Sequence, residues 1–68
     1  MTVGQRIRQL REEHGLTQLQ LGIEINRGQA AMWNYENGIY YPQFESICRL
    51  CEIFDISLEE FMKGVDIK

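Results

Sequence analysis

Three groups of side chains in this 68-residue chain have types and spacings capable of specific chemistry. Gln29, Ala30, Trp33 and Asn34 sit at i, i+1, i+4 and i+5, so on a helix they share one outward face. Small and polar residues at the start of a helix suit entry into the major groove of DNA, where base edges present hydrogen-bond partners. Cys48 and Cys51 form a second group, in Cys-x-x-Cys spacing. A zinc site needs about four ligands and a lone His14 is the only further candidate, while a redox pair needs a neighbouring strand. Both cysteines are therefore expected in the core, with no metal and no cofactor. His14 is expected in solvent beside a helix stop, where a charged imidazole favours the helix dipole. The third group is aromatic: Trp33, Tyr40 and Tyr41. It suits contact with the sugar-phosphate wall of a groove, an anchor for a protein partner, or partial burial against the next helix. No nucleophile is matched with a base and the carboxylates read as caps and surface positions, so an enzyme is not expected.

The elements that must position these groups are helices. Caps and breakers divide the chain into five short ones, an all-α architecture. The first runs from Thr2 as cap to His14, with Val3, Ile7 and Leu10 as its apolar stripe and Gly15 as a left-handed stop. Arg6, Arg8, Gln9, Glu12 and Glu13 then face solvent. Thr17 with Gln20 makes a capping box for the second helix; Leu16 staples onto Leu21, and Leu21 and Ile25 point inward. Gly22 in mid-helix costs about 1 kcal/mol against Ala, which predicts a close crossing by the third helix. Asn26 and Gly28 bracket a tight turn, since Asn tolerates the left-handed region and Gly serves as an N-cap. The third helix runs from about Gln29 to Asn37, with Met32 and Tyr35 inward and Gly38 as its stop. After Ile39-Tyr40-Tyr41-Pro42 the fourth begins near Gln43; carrying Phe44, Ile47, Cys48, Leu50, Cys51 and Phe54, it is expected to be apolar on most sides and central. Ser57 with Glu60 makes a second capping box, Ile56 staples onto Phe61, and Gly64 closes the last helix. Residues 1–64 form one domain in this reading, and 65–68 a tail.

Composition limits the setting. With 44% hydrophobic residues spread along its length the chain is no disordered tail, and no apolar run approaches the roughly 20 residues of a membrane span. The N-terminal residues lack the apolar stretch of a secretory signal, so cytoplasmic residence is expected. A net charge of −3 weighs against nucleic acid, because phosphate neutralisation supplies most non-specific affinity. The charges are polarised along the chain, however. Arg6, Arg8, Arg11 and Arg27 fall in the first 27 residues and Glu45, Glu52, Asp55, Glu59, Glu60 and Asp66 in the last third, which predicts a basic half facing DNA and an acidic half facing away.

From residue 3 to residue 62 the chain resembles the Cro/CI-type, or XRE, helix-turn-helix family. The carriers are Ile7-Arg8-Gln9-Leu10-Arg11, Gly15-Leu16-Thr17-Gln18 with Leu21, Met32 and Tyr35, Glu36-Asn37-Gly38, Pro42, and Ile56-Ser57-Leu58-Glu59-Glu60-Phe61. The resemblance implies a lambda-repressor-like fold and a transcriptional regulator of repressor type that reads operator DNA with its third helix. By the same resemblance Gln18 touches phosphate and braces Gln29, which reads a base edge; paired hydrogen bonds from Gln to adenine discriminate by about 1–3 kcal/mol. Ala30 would meet a thymine methyl and Asn34 a second polar edge, with Trp33 completing the base-facing set. Thr17, Arg27, Asn37 and Tyr40 join Gln18 as phosphate-contact candidates. Arg11 would pair with Glu36. Departures from the pattern predict a weak electrostatic grip, since Gln29, Asn34, Ile39, Tyr40 and Tyr41 stand where members often carry Lys or Arg. Trp33 stands where a small or polar residue is usual, and Asn26 replaces a common turn Gly. A module this small is expected to act as a homodimer on two half-sites about 34 Å apart, with Phe61, Val65 and Ile67 as candidate interface residues. The competing class is a protein-interaction module of the same fold that uses the Trp33, Tyr40 and Tyr41 surface.

Overall fold

The computed structural model describes residues 1–66, and Ile67 lies outside them. Five helices follow one another: α1 Val3–Glu13, α2 Gln18–Glu24, α3 Gln29–Glu36, α4 Phe44–Phe54 and α5 Leu58–Phe61. No helix among the described residues is long and apolar enough to cross a membrane.

Local chemistry sets the boundaries. Thr2 and Gln5 cap α1 reciprocally, the Gln5 amide donating to the Thr2 hydroxyl and the Gln5 side chain accepting from the Thr2 amide. Thr17 and Gln20 repeat the device on α2, as their spacing predicts. The α2–α3 turn passes through Asn26 at φ 60°, the left-handed backbone expected of it, and Gly28 at φ 103°, the expected N-cap of α3. Ser57 caps α5 by accepting from the Glu60 amide. The expected second capping box is only half formed, because the Glu60 carboxylate turns instead to Arg6 at 3.4 Å.

Ile7, Leu21, Met32, Leu50 and Phe61 are fully buried, one side chain from each helix. The core is thus a junction of all five elements, and α5, a single turn, belongs to it through Phe61. This corrects Phe61 as an interface candidate, since a side chain at 0% exposure presents nothing to a partner. Val65 is half-buried against the same core.

Three further expectations change. Arg6 is buried rather than solvent-facing: its Nε donates to the Phe61 carbonyl and its Nη2 to the Glu60 carbonyl, each at 2.8 Å, while Nη1 donates to Gln9. The Glu60 carbonyl also accepts from the Lys63 amide at 3.2 Å, whereas the Phe61 carbonyl at the end of this one-turn helix takes its donor from Arg6 of α1. Helix α4 is amphipathic rather than apolar on most sides. Ile47, Leu50, Cys51 and Phe54 form its buried stripe, while Phe44 and Cys48 are exposed. Cys48 is therefore no core residue; Cys51 is, and burial pushes its thiol pKa up. His14 sits at the end of α1 as expected, with its ring 4.8 Å from that of Phe54 and Nδ1 2.8 Å from the Leu10 carbonyl.

Candidate nucleic-acid interface

Two glycines let α3 lie close to its neighbours. A Cβ on Gly22 would overlap the Gly28 carbonyl at the start of α3, and one on Gly4 would overlap the Tyr35 carbonyl near its end. The close approach predicted at Gly22 is therefore to the cap residue of α3. The role of Gly4 was not read from the sequence, though a glycine in the first turn of a capped helix is the same kind of signal.

The C-terminal end of α3 is fixed by charge. Glu36 takes a two-pronged pair from Arg11, with Nε to Oε2 at 2.6 Å and Nη2 to Oε1 at 3.0 Å. The third arm of the guanidinium donates to the Leu16 carbonyl at 2.9 Å, and Gln18 donates to Glu36 Oε1 at 3.2 Å. One carboxylate thus ties α3 to α1 and to the first turn of α2. The hydrogen bond to Glu36 is the largest influence raising the Arg11 pKa above its already high ordinary value. Gln18 accordingly holds the scaffold here, where the expectation had it bracing Gln29.

With Met32 and Tyr35 locked inward, the opposite face of α3 is open. Gln29, Ala30 and Trp33 are exposed, as the helical spacing predicts, whereas Asn34 is half-buried. Trp33 is 51% exposed, a large apolar ring left in solvent. Gly28 offers no side chain to cap the first turn of α3, so the amides there point outward from the positive end of the helix. Thr17, Arg27, Asn37 and Tyr40 are all exposed. Arg27 donates to Gln43 at 3.0 Å, and the Asn37 amide donates to the Trp33 carbonyl at 2.9 Å. Gln43 as the partner of Arg27 left no signal in the sequence.

The expected basic half does not form. Arg6 and Arg11 are consumed by internal bonds and Arg8 pairs with Glu12 at 3.2 Å, which leaves Arg27 as the exposed cation beside α3. Charges counted along a chain do not predict a surface field when the long side chains turn inward as structural donors.

The chain belongs to the helix-turn-helix domain family, which it matches over residues 2–61, and the Cro/CI-type resemblance of its sequence holds in the fold. It is 28% identical over 98% of its length to the HTH-type transcriptional activator BcrR of Enterococcus faecalis, and 26% identical over 97% to the HTH-type transcriptional regulator ImmR of Bacillus subtilis (strain 168). It spans 33% and 51% of those two proteins. Among solved structures it resembles the P22 c2 repressor in complex with a synthetic operator, with TM-score 0.82 and 25% identity over 94% of this chain and 97% of that one.

Proposed function

We propose that this domain is a sequence-specific DNA-binding transcriptional regulator that enters the major groove with α3. The observation that carries the reading is the pinning of α3. Its inner face and C-terminal end are fixed by Met32, Tyr35 and the Glu36 network, while Gln29, Ala30 and Trp33 face solvent. A rigid helix with a free polar first turn loses little conformational entropy on docking, so the contacts it makes go into affinity and discrimination. Gln29 suits the adenine edge, with Ala30 and Asn34 beside it, and Thr17, Gln18, Arg27, Asn37 and Tyr40 are the proposed phosphate contacts. The resemblance to a repressor seen on operator DNA supports the same reading. Occupying an operator suffices for repression, and the site of action is then the cytoplasm. One such module makes few contacts, so two copies on a two-fold site are proposed, meeting through a surface that excludes Phe61.

Selection from a randomised duplex pool tests this, with Gln29→Ala run beside the unaltered protein. A palindromic site should be enriched, and Gln29→Ala should relax one base pair per half-site by about 1–3 kcal/mol. A pool that stays random at low salt contradicts the reading and turns attention to the aromatic surface.

A further inference from the structure

Trp33 is not explained by packing. It is the only tryptophan in the chain, half-exposed on the outward face of α3, and its backbone is held by the Asn37 amide at its carbonyl. Its neighbours on that face, Gln29 and Ala30, are exposed as well. A helical side chain leans toward the N-terminal end of its helix, which here is the end that enters the groove. Four residues of helix span about 6 Å, so Trp33 works within about two base steps of Gln29.

The chemistry of an indole narrows what it can read there. It offers a broad apolar face and one N–H donor, with no acceptor. Cytosine presents a donor in the major groove, which the indole cannot satisfy, and the acceptors of guanine and adenine would take the N–H but offer the ring no apolar group. Thymine presents an O4 acceptor and, beside it, the C5-methyl, the only apolar group that the four bases place there. Resting on the DNA-binding reading above, we infer that Trp33 is a specificity-determining residue that selects one thymine in each half-site. The pyrrole edge of the ring packs against the methyl while its in-plane Nε1–H reaches toward O4. The operator is then an adenine read by Gln29 with a thymine about two steps away, and a bulky apolar side chain replaces cationic grip by desolvated contact area.

The test uses the duplex enriched by selection, with each thymine of a half-site changed singly to deoxyuridine, which removes the methyl and keeps O4. Binding is followed by fluorescence anisotropy for the unaltered protein, Trp33→Ala and Trp33→Phe. One deoxyuridine should weaken the unaltered protein about fourfold, the worth of one buried methyl. Trp33→Phe should keep that penalty while binding more weakly overall, and Trp33→Ala should abolish it. The emission of Trp33 should also move to shorter wavelength or be quenched on the specific duplex, a readout that needs no variant. The absence of any thymine whose penalty is lost with Trp33→Ala, or no penalty at any thymine, or unchanged emission on a duplex that binds, overturns the inference and leaves the DNA-binding reading standing. Failure to enrich any duplex defeats both.

Discussion

Glu36 shows how far one carboxylate can organise a domain of this size. Its side chain is 3% exposed and that of Arg11 13%, so the pair is taken almost wholly out of water. Such a pair is weak evidence for net stability, but removing one partner leaves a buried charge without compensation. Glu36→Ala should therefore lower stability by about 3–5 kcal/mol in urea denaturation. Arg11→Met combined with Glu36→Leu should cost much less than Glu36→Ala alone; equal costs would mean that the pair acts through packing and not through charge. The Arg11 and Glu36 pairing was readable from the family resemblance. The burial of Arg6 was not, because helical periodicity within α1 puts it on the solvent flank and its acceptors come from α5, more than 50 residues away. Residue-level reading fails where a side chain answers a need created by a distant element.

At the scale of elements, the boundaries were legible because caps are local. Thr2, Thr17 and Ser57 act within a few residues, and the turn at Asn26 and Gly28 follows from backbone freedom alone. What was not legible is the fraction of each helix that the others cover. An apolar stripe with extra apolar residues, as in α4, looks the same in sequence whether or not Phe44 and Cys48 find partners. Gly22 separates propensity from packing. By propensity, Gly22→Ala should stabilise α2 by about 1 kcal/mol. The overlap of the new Cβ with the Gly28 carbonyl should override this and shift the start of α3. The expected outcome is a lower melting temperature together with a loss of DNA affinity larger than the fraction unfolded accounts for. A raised melting temperature with affinity intact would show that the turn yields freely.

The whole molecule carries a net charge of −3, Arg6 and Arg11 are buried as internal donors, and Arg8 is paired with Glu12. Affinity should therefore depend little on salt. The logarithm of the association constant should fall with the logarithm of salt concentration with a slope near −1 per protomer, since each neutralised phosphate contributes about −0.9 and Arg27 is the exposed cation beside α3. A slope several times steeper would mean that cations elsewhere on the surface reach the backbone. A grip so weakly electrostatic puts the discrimination on the side chains of α3, held in place by a core to which every helix contributes one fully buried residue.

The most direct test of the central claim, that α3 is the DNA-reading element, is the change in backbone amide signals by heteronuclear magnetic resonance as the enriched duplex is added to the unaltered protein. The largest changes are expected at residues 17–18 and 27–34, with the indole N–H of Trp33 among them and Ile47, Leu50 and Phe61 little affected. Changes centred on Leu19, Ile23 and Ile53, or spread over α5, with α3 undisturbed, would contradict it.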